Sequence, residues 1–253
     1  MAAESQFRLL DNPRWVAALF NSTEFGWVWL IARVYVGWGW LHSGWEKVNS
    51  DGWMAGGASL QGYWQRAVAI PETGRPAITY DWYRAFLQYL LDAETFTWFA
   101  KLVAFGEVLV GIALLLGIFT GIAAFFGAFM NWNFMLAGSA STNPVMGIVG
   151  IGIMVAWKTA GWWGLDRFVL PYVGAPWERG PVLGGRRLTL SGWSAASTGQ
   201  LIEQWLRILL GVVIALYALI SLGGPLQLVL LLVSGVIVAV SGLGLFPLIP
   251  VKR

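Results

Sequence analysis

Six apolar stretches run through this 253-residue chain, near 25–45, 97–119, 121–140, 142–163, 203–221 and 225–245. Each is long enough to cross about 30 Å of hydrocarbon. Lipid offers the backbone no hydrogen-bond partners, so a spanning segment must be a helix or part of a closed barrel. Nothing here alternates with the period of a barrel strand, and helices follow. The links "FTG" (119–121) and "GGP" (223–225) are short enough to make helices two and three, and five and six, tight hairpins. The expected fold is an all-α integral membrane protein: a four-helix bundle plus a C-terminal two-helix hairpin, six transmembrane helices in total.

Composition agrees. Hydrophobic residues make up 57% of the chain and charged residues only 11%, with a mean hydropathy of +0.65, against about 25% charged in soluble domains. The net charge of +3 therefore describes basic flanks of membrane helices, and nucleic acid is not an expected partner. The absence of cysteine and the single histidine leave no thiolate site and no ligand set, so no haem, flavin or metal is expected.

The charges that remain give an orientation. Arg8, Arg14, Lys158, Arg167, Arg179, Arg186, Arg187, Lys252 and Arg253 fall on one side, which the positive-inside rule makes cytoplasmic. The chain is thus expected to be a multi-pass protein of the plasma (inner) membrane, N-in and C-in. Residues 1–24, with Glu4, Arg8, Asp11, Arg14 and Glu24, read as a cytoplasmic N-terminal segment and not as a cleavable signal. A four-helix domain is expected over 25–173, with a long outer loop at 46–96. Within that loop "DWYRAFLQYLLDA" (81–93) puts Trp82, Phe86, Tyr89 and Leu90 on one face of an interfacial helix. The Gly/Pro/Ser-rich segment 174–200 is expected to be a linker, and 201–253 the two-helix hairpin.

Charge inside the spans is the feature that needs a reason, because it costs roughly 2.5–3.5 kcal/mol near the bilayer centre. At helical spacing Arg33 shares a face with Trp29, Gly37, Trp40, Gly44 and Lys47, while His42 points the other way. Glu107 shares a face with Ala100, Ala104 and Gly111, and Asn131 with Ala124, Gly127, Ala128 and Gly138. Counted at 1.5 Å per residue from the inner helix ends, Arg33 is roughly 12 Å deep and Glu107 roughly 18 Å. An extended arginine spans that offset, so the expectation is an Arg33–Glu107 pair with Asn131 nearby. Such a pair is either a neutralised structural contact or part of a substrate or proton site.

The segments "RVYVGWGWLHSGWEKV" (33–48), "GEVLVGIALLLGIFTGIAAFFGAFMNWNFMLAG" (106–138) and "NPVMGIVGIGIMVAWKTAGWWGLDRFVLP" (143–171) together resemble the DoxX/DoxD family. The resemblance is to the DoxD-like membrane subunit of thiosulfate:quinone oxidoreductase and covers roughly 25–173. Residues 203–250 are similar to the two-helix membrane domain that accompanies rhodanese domains, with Phe246-Pro247-Leu248 where that family usually has Cys-Pro-Leu. The resemblance implies quinone-linked redox chemistry on thiosulfate or a related sulfur compound, with quinone as a bound substrate. Arg33 and Glu107 would then be catalytic, Arg33 holding the sulfur anion or polarising a quinone carbonyl and Glu107 carrying the proton. Asn131, Trp40 and His42 would contact the quinone. The competing expectation is a non-catalytic accessory subunit of a larger respiratory or photosynthetic complex. In either case the partners are the lipid bilayer and other membrane-complex subunits or further copies of the chain.

Overall fold

The computed structural model describes residues 12–175, 178–179, 181–185, 206–207, 209–215 and 231–237. Ten helices order the first part of the chain: α1 (Arg14–Asn21), α2 (Gly26–Val48), α3 (Asp51–Met54), α4 (Ala58–Val68), α5 (Asp81–Asp92), α6 (Phe96–Leu116), α7 (Thr120–Leu136), α8 (Asn143–Val155), α9 (Trp157–Ala160) and α10 (Asp166–Val173). Among the described residues the fold is all-α apart from a minimal antiparallel pairing of Gly174–Ala175 with Glu178–Arg179. Most of the C-terminal hairpin expected at 201–253, and most of the 174–200 linker, lie outside the described residues. The described pieces at 206–207, 209–215 and 231–237 are helical.

Helices α2, α6, α7 and α8 close a four-membered ring: α2 packs on α6 and α8, and α7 on α6 and α8. Glycines let α2 and α6 approach closely. A Cβ added at Gly44 would stand 2.7 Å from Val108 N, and one at Gly111 would stand 2.5 Å from Leu41 N. The centre is filled by Trp29, Val36, Trp40, Val110, Leu114, Ala124, Met146 and Ile153. Outside, the same helices present bare apolar side chains, with Leu109 67% and Ile148 73% exposed and Phe125, Phe126, Phe129 and Trp132 all outward. A continuous apolar belt of this kind is unfavourable in water and suited to lipid.

Helix lengths depart from the six expected spans. Among the described residues one helix, Phe96–Leu116, is long and apolar enough by itself to cross a membrane. The expected helix at 142–163 is interrupted at Ala156, which leaves the helical conformation between α8 and α9. α7 holds only 17 residues. α2 has the length, at 23 residues, but its tryptophans, glycines and Arg33 dilute its hydropathy.

The outer loop is ordered. α3, α4 and α5 pack over one end of the bundle around Leu60, Trp64, Ile78, Tyr83, Leu87 and Phe96. The face of α5 that carries Trp82, Phe86 and Tyr89 is turned away from the protein, and Tyr83 and Leu87 make the inward contact.

Candidate functional site

The buried charges sit in two clusters at different levels of the bundle, and the expected Arg33–Glu107 pair does not form. Glu107, fully buried, is bonded instead to Lys47, whose Nζ donates to Glu107 Oε2 at 2.6 Å and to Ser43 Oγ at 2.6 Å. Arg33, also buried, donates from Nη2 to the Trp163 carbonyl at 2.9 Å. The reason is stagger. Gly44 of α2 lies against Glu107 and Val108, whereas Arg33 lies against Gly117, beyond the end of α6. Eleven residues of α2 separate the two levels, roughly 16 Å at 1.5 Å per residue. Depths counted from each helix's own end missed this, because α2 starts well below the end of α6.

The Arg33 cluster explains the "GWWGLDRF" segment (161–168) residue by residue. Gly164 and Gly117 meet and wall in the Arg33 guanidinium; Gly117 also takes the left-handed conformation, with φ of 64°, that closes α6. Trp163 supplies the carbonyl to Arg33. Asp166 accepts from Phe119 N at 2.5 Å and Thr120 N at 2.8 Å, capping the start of α7. Arg167 lies over the Trp162 ring at 4.0 Å. Burial lifts the Asp166 carboxyl above its ordinary range, opposed by these N–H donors and by the charge of Arg33. The cluster ties α2, the α6–α7 turn and α10 together, with Arg33 and Asp166 each 1% exposed.

The Lys47 cluster has a different character. Lys47 lies 5.2 Å from the Trp53 ring and 6.0 Å from the Phe134 ring, which is a cation–π setting. Asn131 is fully buried and neither of its amide atoms has a partner. It stands at the level of Glu107: Gly106 faces Met130, and Val110 faces Gly127. Trp40 crosses this level, with its Nε1 beside Gly127 and its ring 6.4 Å from Phe134. Glu107, Asn131 and Trp40 thus stand at one level of the bundle, and the cation at that level is Lys47, not Arg33. His42 is not part of the cluster. It faces outward, stacked on Trp38 and 3.5 Å from Glu46.

Beside this cluster, on the outer flank, an apolar groove of 490 Å³ runs between α4 and α5 on one side and α6 and α7 on the other. Leu102, Leu109, Phe126 and Phe129 form its membrane-facing walls, and its polar atoms come chiefly from Tyr63, Tyr83 and Asn133. Tyr83 donates to the Asn133 carbonyl at 3.0 Å. Burial, followed by the proximity of Tyr63, pushes the Tyr83 phenol up to about 12, so it is a neutral donor at any physiological pH. None of Arg33, Glu107, Asn131, Trp40 and His42 lines the groove, but Phe134 separates it from Lys47. The sequence reading missed this groove. Its signal was the pair Tyr63 and Tyr83 in the 46–96 loop, of which only the Trp82, Phe86, Tyr89 and Leu90 face had been singled out. Among the described residues no group of three or more His, Asp or Glu could hold a metal.

Comparison with curated proteins and with solved structures gives no match. Comparison with protein families matches residues 28–137 to DoxX. That span runs from α2 through α7 and includes both Lys47 and Glu107; the "GWWGLDRF" segment lies beyond it. The helices that build the buried Lys47 cluster and the groove therefore lie within the part of the chain that is similar to DoxX.

Proposed function

We propose that this chain is the membrane subunit of a quinone-linked oxidoreductase, with the quinone bound as substrate in the groove between α4, α5, α6 and α7. The observation that carries the proposal is the groove itself. It opens on the apolar belt, has the volume of a ring with part of its tail, and confines its polar atoms to Tyr63, Tyr83 and Asn133. A quinone carbonyl would accept from a phenol there, while the isoprenoid tail would leave between Leu109 and Phe129 into lipid. Glu107 and Lys47 stand behind Phe134 as the nearest buried acid–base couple, which suits the proton role assigned to Glu107. In this reading Arg33 binds no substrate and acts as the clasp of the α6–α7 turn.

The finer reading is a DoxD-like subunit that passes electrons from thiosulfate or a related sulfur compound to quinone. A partner subunit would present the sulfur anion. The protein would sit in the plasma (inner) membrane with six spans, N-in and C-in, and with the residues 201–253 as a hairpin. An accessory role in a respiratory or photosynthetic complex is favoured by one observation: the outward row of Phe125, Phe126, Phe129 and Trp132 on α7. In that case the row would pack on another subunit, a pigment or a second copy.

A binding titration separates the two. The purified protein in nanodiscs is titrated with a short-tailed ubiquinone, followed by quenching of tryptophan fluorescence (Trp64 lines the groove). Saturable binding that is lost in Leu102→Trp, which fills the groove, supports the quinone reading. Absence of saturable binding in the folded wild type overturns it.

A further inference from the structure

The Glu107 carboxyl is met by Lys47 and by the Ser43 hydroxyl, yet Glu107 Oε1, both amide atoms of Asn131 and Trp40 Nε1 have no hydrogen-bond partner within the protein. Glu107 and Asn131 are 0% exposed and Trp40 is 3%. They belong to three helices and share one level of the bundle, with Asn131 also facing Gly147 of α8. Gly127, Asn131 and Phe134 follow each other at helical spacing on α7. Trp40 Nε1 lies beside Gly127 and its ring is 6.4 Å from that of Phe134, the residues on either side of Asn131 on that face. Glu107 comes to the same level from α6. The set contains one pure donor, one carboxylate acceptor, and an amide that does both. That mixture matches water, which needs two to four polar partners in a buried site. It does not match an anion, which the carboxylate would repel, nor a metal, for which there are too few ligands.

One end of this cluster is sealed and the other is not. Toward Arg33 the bundle is filled by Val36, Leu114 and Ile153, none more than 1% exposed. Toward the outer loop stands Lys47, whose side chain is 16% exposed while that of Glu107 is 0%.

We propose that Lys47, Glu107, Asn131 and Trp40 form a hydrated proton-exchange site, filled by water and entered past Lys47 at the outer-loop end of the bundle. A proton delivered by water to Glu107 Oε1 turns the carboxylate into a neutral acid, while Lys47 keeps its own proton. Return of that proton to water restores the ion pair. One proton enters and one leaves, and no electron moves. The proposal is independent of quinone binding, since hydration and exchange occur in the protein alone.

Hydrogen exchange at the tryptophan indoles tests it. The protein is labelled with ¹⁵N-tryptophan, placed in nanodiscs and transferred to deuterated buffer, with Trp40→Phe and Trp29→Phe used to assign the two signals. Trp29 is the internal reference: it is 7% exposed against 3% for Trp40, and its Nε1 donates to the Leu19 carbonyl at 2.7 Å. Trp40 Nε1–H is expected to exchange at least about tenfold faster than that of Trp29, and to slow by about tenfold when Lys47→Met and Glu107→Leu are combined. Exchange at Trp40 as slow as at Trp29 in the wild type overturns the site. Fast exchange unaffected by the double substitution overturns the route past Lys47 and Glu107.

Discussion

Lys47 neutralises Glu107 across the α2–α6 interface, Nζ to Oε2 at 2.6 Å, and Arg33 takes no part in that contact. Lys47→Met strands a buried carboxylate and is expected to destabilise the protein by about 2–4 kcal/mol, toward the lower part of the range for a broken buried pair because Lys47 keeps some contact with solvent. Lys47→Met together with Glu107→Leu should recover most of that loss. The same cycle with Arg33→Met in place of Lys47→Met should be additive to within about 0.5 kcal/mol, because the two residues share no partner. Thermal unfolding in detergent reads all of these. Strong coupling between Arg33 and Glu107 would contradict the observed register.

The Arg33 cluster carries its own prediction. Asp166 caps α7 through two backbone donors, so Asp166→Ala should cost about 1–2 kcal/mol. Gly117→Ala should cost more, about 2–4 kcal/mol. It combines a left-handed backbone with a methyl group placed 2.7 Å from the Gly164 Cα and against the Arg33 guanidinium. Neither change should alter short-tailed quinone binding in the fraction that remains folded. A Gly117→Ala protein as stable as the wild type would show that the α6–α7 turn does not depend on this contact.

Tyr83 gives a pH dependence. Its folded-state value, pushed up to about 12, lies above the ordinary tyrosine value of about 10. The folded protein therefore holds this proton more tightly than the unfolded chain does. Its contribution to stability is complete below about pH 10 and is lost as pH rises toward 12. Unfolding followed by circular dichroism should show a shallower alkaline loss in Tyr83→Phe than in the wild type. The same variant should weaken quinone binding by at most about 3–10-fold, because the Tyr83 hydroxyl must turn from the Asn133 carbonyl to donate to the quinone.

How much of this was legible in the sequence depends on whether the signal was local. The burial of Arg33, Glu107 and Asn131 followed from small residues at helical spacing, and the α6–α7 hairpin from three residues of link. The partner of Glu107 did not follow, because pairing depends on how far one helix slides along another, and each helix end had been treated as a common depth mark. Lys47 was visible on the Arg33 face of α2. It lies near the outer end of the span, and only the outer-loop helices, which extend the protein beyond it, show that it is enclosed. The groove was illegible for a related reason: it is made by Tyr63 and Tyr83 from the loop helices meeting Asn133 and Phe134 from α7, a long-range contact without any repeating spacing. The break at Ala156 has no Gly or Pro at that position to announce it.

Orientation is the last prediction, and the absence of cysteine makes it simple to test. Arg14 on α1, Lys158 on α9 and Arg167 on α10 gather near the Arg33 end of the bundle, and the α3–α5 loop covers the Lys47 end. Short flanking segments rich in lysine and arginine stay on the cytoplasmic side, so the Arg33 end should face the cytoplasm. A cysteine placed at Ser59, or at the exposed Thr73 in the same loop, should then react with a membrane-impermeant maleimide added to intact cells. One at Ser194 or at the exposed Val182 should react only after the membrane is opened. This arrangement would place the Lys47 entrance, and hence the exchange of protons at Glu107, on the outer face of the membrane. The reverse labelling pattern would move both to the cytoplasmic face.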